Sequence, residues 1–189
     1  MSRTHTRQPN PQGGWSLVEM MFVVLIIAAV GAIAVMVMPI AIQFAKADSG
    51  VQQVESALRV AREQAIGQRR NVQVAFVAPN RITVTRVETD GTLTPISSTD
   101  LENRLQLILF AGLPDTPDAF GNATPASFGG AASVAFTSEG TFVDQNGDQV
   151  NGSVFIGVPN EPTSARAVTI FGPTALIRAW TWQGTNWVD

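Results

Sequence analysis

Few side chains in this sequence have the type and spacing to do chemistry. There is no cysteine and a single histidine, His5, which lies in a polar N-terminal stretch. Thiol nucleophiles, zinc–thiolate and iron–sulfur centres, His-based triads and multi-histidine metal sites are therefore excluded. No P-loop or glycine-rich dinucleotide fingerprint occurs either. Asp144-Gln-Asn146-Gly-Asp148 has the outline of a calcium loop, but the glycine and glutamate that should follow are replaced by Gln149 and Phe155, so a solvated hairpin tip is the better reading. Asp115, Asp118 and Glu139 show no spacing that pairs an acid with a base. Trp180, Trp182 and Trp187 could stack a base or a sugar, yet Trp180 and Trp182 fall on one face of a strand, as core or interface residues do. The expectation is a protein without catalytic residues, cofactor or metal.

One acid stands apart. Glu19 immediately precedes 23 uncharged residues, 20–42. As a helix rising about 1.5 Å per residue, that run spans roughly 35 Å, enough to cross a hydrocarbon core of about 30 Å. A carboxylate at that depth costs a few kcal/mol unless it is partnered, which makes it a functional residue by default. Arg3 and Arg7 precede the run, whereas Lys46 and Asp48 nearly cancel after it. This asymmetry places the N-terminus in the cytoplasm and the rest of the chain outside. A cleaved secretory signal is the competing reading, but the apolar core is too long for one and continues into an amphipathic stretch.

Residues 1–14 are polar, contain Pro9 and Pro11, and end in Gly13-Gly14. The segment Gly14-Trp15-Ser16-Leu17-Val18-Glu19-Met20-Met21, followed by the apolar run, resembles the N-terminus of type IV prepilins and pseudopilins. The resemblance implies cleavage between Gly14 and Trp15 by a prepilin peptidase and N-methylation of Trp15. It also implies that Glu19 pairs with the free N-terminal amine of a neighbouring subunit during assembly. Trp15 departs from the usual phenylalanine. An acid buried in a filament becomes tolerable when an ammonium pairs with it at low dielectric.

The elements that must position these residues follow from periodicity. Val51, Val54, Leu58, Ala61 and Ala65 form one apolar stripe, and Glu55–Arg59 and Arg59–Glu63 are opposite charges at i,i+4. One helix is expected from about Trp15 to Gln68, kinked at Pro39 and weakened at Gly31 and Gly50, with Arg69 and Arg70 suited to its C-terminal dipole. From Asn71 the apolar period becomes two. Strands are expected at Val72, Val74 and Phe76, at Ile82 and Val84, and over residues 105–110, 133–136, 141–143, 153–158, 165–171 and 175–182. Pro79-Asn80 and Asn146-Gly147 read as turns, and residues 112–133 as a long loop. The fold class is α+β: a long N-terminal helix, transmembrane in its first half, packed on an all-β antiparallel sandwich head. Boundaries are a leader at 1–14, a transmembrane assembly helix at 15–42, its amphipathic continuation at 43–70 and a periplasmic head at 71–189.

Phe136-Thr-Ser-Glu-Gly140-Thr-Phe142 and Arg166-Ala-Val-Thr-Ile170 narrow the resemblance to the GspH/FimT family of minor pseudopilins and pilins. That resemblance implies a minor pseudopilin of a type II secretion pseudopilus, assembled with other pilin-like subunits through the N-terminal helix in the bacterial inner membrane. The alternative is a type IV minor pilin acting at a pilus tip in adhesion or DNA uptake. From Asn71 onward five arginines face eleven acids, a net charge of −6, which repels phosphate and argues against nucleic acid.

Overall fold

The computed structural model describes residues 16–189. The chain divides into two compact units, Met1–Ala41 and Ile42–Asp189. Helix α1 runs Leu17–Gln68 and supplies the described part of the first unit. Its first intrahelical bond runs from the Met20 amide to the Ser16 carbonyl at 3.1 Å, and Glu19 in the first turn suits the positive end of the helix dipole. The helix ends in a Schellman turn. Arg70 donates its amide to the Ala65 carbonyl at 3.1 Å and Arg69 to that of Ile66 at 3.3 Å. Arg69 takes the left-handed conformation (φ 52°) that glycine usually holds there. Both arginines thus lie just past the last helical residue.

Eleven strands follow, all paired antiparallel: β1 (Val72–Val77), β2 (Arg81–Val87), β3 (Leu93–Asp100), β4 (Gln106–Leu107), β5 (Ala126–Ser127), β6 (Val134–Phe136), β7 (Phe142–Asp144), β8 (Gly152–Gly157), β9 (Arg166–Phe171), β10 (Leu176–Trp182) and β11 (Trp187–Val188). They form a first sheet in the order β3-β2-β1-β6-β7 and a second in the order β11-β10-β9-β8-β4, with β5 also paired to β8. The expected α+β arrangement of one long helix and an antiparallel β head is the one observed.

The helix stripe Val51, Val54, Leu58, Ala61 and Ala65 is buried in one core with Val72, Val74, Ile82, Val84 and Phe136 of the first sheet and Val154, Ile156, Val168 and Ile170 of the second. Burying each of these larger aliphatic or aromatic side chains contributes about 1.5–3 kcal/mol. The second sheet is covered on its other face too, and β8 is buried at all six positions. There Phe155, Ala167, Trp180 and Trp187 pack with Leu109, Phe110 and Leu113 of the chain after β4. Both cores draw only on residues between Val51 and Trp187, so the unit Ile42–Asp189 contains everything its own folding requires.

The turn Thr137–Thr141 joins β6 to β7 and seats the helix. Phe136 and Phe142 flank it with ring centroids 4.9 Å apart. Arg62 of α1 donates from Nε to the Gly140 carbonyl at 3.1 Å. Of the two expected helix ion pairs, Arg59–Glu55 forms at 3.5 Å; Arg59–Glu63 does not appear among the described residues.

Several expectations need correction. Residues 105–110, expected as one strand, form a ladder only at Gln106–Leu107, with one further bond from the Ile108 amide to the Phe155 carbonyl at 3.1 Å, before the chain peels away to cover the outer face of the second sheet. Strand β3 was not expected; it is exposed along nearly its whole length and lacks an apolar alternation. Within the expected loop 112–133, Ala126–Ser127 pairs with β8 and Phe128 is buried, so this segment is partly sheet and partly cover. The Asn146-Gly147 tip is closed by a single bridge, Val143–Gln149, and not by a continued ladder.

Strand β3 is a sheet edge, blunted by Pro95 and a register shift opposite Val84/Thr85. Its ends carry charge pairs. Arg81 holds the Asp100 carboxyl below the usual carboxylate range, and hydrogen bonds from Arg86 and Thr94 do the same for Glu88. A depressed folded pKa gives stabilisation that is complete above the unfolded value, near 4, and is lost as the pH falls through the lower folded value. Below about pH 4, amide-exchange protection along β3 should therefore fall before that of β8 and β9. Equal loss in all three strands would contradict this assignment.

Candidate assembly surface

Residues Leu17–Val35 of α1 have a mean hydropathy of 2.7 and are exposed throughout. This is the one helix among the described residues long and apolar enough to cross a membrane. Nineteen consecutive exposed residues of that character need an apolar surrounding, either lipid or other helices. Glu19 stands near the start of this segment, exposed and without an ion-pair partner among the described residues. Gly14 and Trp15, the expected cleavage and methylation positions, lie outside the described residues. Pro39 lies within α1, whose assignment continues past it. Its side chain, and with it the expected kink, lies outside the described residues.

The remaining candidates resolve into packing. Asp144 Oδ1 accepts the amides of Asn146 at 2.8 Å and Asp148 at 3.0 Å, and Oδ2 accepts from the Asn146 side chain at 3.2 Å. Desolvation pushes its pKa up, but these bonds and one from Gly147 outweigh it and hold the carboxyl below its ordinary value. The carboxylate is thus engaged by its own turn. Among the described residues, no group of three or more His, Cys, Asp or Glu side chains is placed to hold a metal ion.

The tryptophans pin the cover onto the second sheet. Trp180 donates to Thr169 Oγ1 at 3.0 Å and Trp187 to the Pro114 carbonyl at 2.9 Å. Trp182 is half-buried and packs on Trp187 with centroids 5.3 Å apart. Asp118 accepts from Thr169 Oγ1 at 2.6 Å and pairs with Arg178 at 2.9 Å. Asp115 accepts the Thr116 and Gly121 amides. Glu139 lies in the Thr137–Thr141 turn, where its amide donates to Thr137 Oγ1 at 3.3 Å.

The sequence reading missed Arg166. It is 1% exposed, on the helix-facing side of β9, and donates from Nε to Asp48 Oδ1 at 2.8 Å. Its guanidinium lies 5.7 Å from the centroid of the Phe44 ring. An arginine opening the apolar run Ala167–Ile170 is the one hint in the sequence, and a partner 118 residues away is not readable from it.

No family model matches the chain, and no curated protein is similar to it. Among solved structures, the chain is similar to the minor pseudopilin EpsH from the type 2 secretion system of Vibrio cholerae. That likeness has 16% identity and a TM-score of 0.49, covering 72% of this chain and 97% of that one. It is also similar to the type IV minor pilin FimU of Pseudomonas aeruginosa, with 16% identity and a TM-score of 0.48, covering 75% of this chain and 97% of that one.

Proposed function

We propose that this chain is a minor pseudopilin of the GspH/FimT kind. In this reading it helps to initiate or tip a short periplasmic pseudopilus that drives protein export across the outer membrane. One observation carries the reading: a single helix whose first nineteen residues, Leu17–Val35, are apolar but for Glu19 in the first turn and are exposed throughout, while its later stripe is seated in a β head. A soluble domain would bury such a segment. A plain membrane anchor would have no use for a carboxylate at its start.

The mechanism needs no active site. A prepilin peptidase cuts after Gly14 on the cytoplasmic face and the new amine of Trp15 is methylated. The helix then leaves lipid for the company of other pilin-like helices. Glu19 sets axial register by taking the terminal amine of its neighbour. The head, carrying a net charge of −6 from Asn71 onward, contacts other subunits and not nucleic acid. For that reason the secretion reading is preferred to a DNA-binding pilus tip.

Mass spectrometry of the protein extracted from host membranes tests the first step. The mature chain is expected to begin at N-methylated Trp15. A mature chain beginning at Met1, or at a cut beyond Ile42, would end the filament reading, because no amine would then stand near Glu19.

A further inference from the structure

A cavity of about 510 Å³ opens beside Arg166, lined by Phe44, Asp48, Thr163, Thr181 and Trp182 among others. A buried arginine is tolerated when its charge and its donors are satisfied. Here satisfaction is partial. Nε reaches Asp48 through one oxygen, Nη1 reaches the Ala165 carbonyl at 3.0 Å, and Nη2 has no acceptor among the described residues. The counter-charge is itself loosely held, since the Asp48 side chain is 55% exposed. A cation buried to 1% thus meets a cavity with donor capacity to spare. Around it stand two hydroxyls, from Thr163 and Thr181, and two aromatic walls, from Phe44 and Trp182.

We propose that this cavity binds the phosphate of a membrane lipid headgroup. Guanidinium forks match phosphate oxygens in pairs, and such charge-assisted bonds are about twice as strong as neutral ones. The source follows from chain position and charge, and rests on residues 20–42 spanning a membrane. Phe44 comes two residues after Ile42, so the chain itself tethers it close to the headgroups. Aromatic side chains favour that depth. The surrounding head has a net charge of −6 and keeps free anions dilute, whereas a lipid phosphate is delivered by the membrane itself. The ligand would share the guanidinium with Asp48, and two anions on one cation repel.

The test uses residues 42–189, which contain both cores complete, with Trp182 emission and co-sedimentation as readouts. Vesicles of phosphatidylglycerol should capture the protein and shift its emission, and vesicles of phosphatidylcholine should do so at least about fivefold more weakly, against the direction set by the head's own negative charge. Asp48→Asn should tighten binding to phosphatidylglycerol about tenfold by removing the competing carboxylate. Trp182→Phe should remove the emission change while leaving capture in place. Arg166→Gln should abolish capture; should that variant not fold, Asp48→Asn decides alone. Equal binding by wild type and Asp48→Asn, or no capture by either, overturns the proposal. Saturable binding of inorganic phosphate without vesicle capture overturns the lipid assignment. Failure here, with the mature chain still beginning at Trp15, leaves the subunit reading standing; the reverse pattern sinks that reading alone.

Discussion

Replacing Glu19 with alanine should leave processing after Gly14 intact and lower incorporation of the subunit into filaments by at least about a hundredfold. Two effects act in the same direction. In the membrane, a lone carboxylate near the start of the apolar run carries a penalty of a few kcal/mol that assembly relieves, so the alanine variant removes a reason to leave lipid. In the filament, the terminal amine of the neighbouring subunit loses its counter-charge, and a buried ion pair broken from one side costs about 3–5 kcal/mol. Glu19→Gln should fail nearly as badly, since it keeps the shape and loses the charge. Glu19→Asp should recover part of the function, because only the reach is shortened. The measurement compares each variant in sheared filaments with the same variant in membranes, alongside release of exported proteins. Assembly and export at wild-type levels in the alanine variant would remove the pairing mechanism, whatever the N-terminus proves to be.

How far the sequence could be read depended on whether a residue's environment repeats along the chain. The stripe Val51, Val54, Leu58, Ala61 and Ala65 was legible because a helix with one buried face writes a 3-4 spacing. The β1–β2 hairpin was legible because Val74 lies opposite Val84 and Phe76 opposite Ile82, apolar positions in alternation on both strands. Strand β3 was invisible for the opposite reason. An edge strand exposed on both faces, with Pro95 inside it, has no apolar period to show. The cover formed by Leu109, Phe110 and Leu113 is apolar but not regular, so composition alone reads it as loop. Asp48 and Arg166 meet only in the folded chain. A single sequence offers no signal for a pair separated by 118 residues. Glu19 is conspicuous for a different reason still, as a charge beside a long apolar run, and its role stays a proposal.

Gly172→Ala should destabilise the head by about 3 kcal/mol or more, although it adds a single methyl group. Gly172 follows β9 at the seam where the two sheets exchange backbone hydrogen bonds. Its carbonyl accepts the Phe142 amide at 2.9 Å, its amide donates to the Asn151 side chain at 2.9 Å, and the Phe142 carbonyl accepts from Val150 at 3.2 Å. A Cβ at residue 172 would sit 2.6 Å from the Val150 carbonyl oxygen and 2.9 Å from its carbonyl carbon. Backbone on both sides of that contact is held by the hydrogen bonds just named, so neither side can yield as a flexible side chain would. Relief requires separating β9 from the chain entering β8, which loosens Phe142 and the Phe136–Phe142 pair beneath α1. Gly67→Ala is the control. Gly67 lies in the last turn of α1 with nothing within 4 Å of the added atom, so the same methyl should stabilise the helix by about 0.5–1 kcal/mol. In thermal melts of residues 42–189, where about 1 kcal/mol moves Tm by about 2–4 °C, the two variants should shift in opposite directions. Gly172→Ala should fall by about 6 °C or more and Gly67→Ala should rise by a few degrees. Equal melting temperatures for Gly172→Ala and wild type would mean that the sheets are not joined at this seam, and the shared core under the helix would have to be drawn differently.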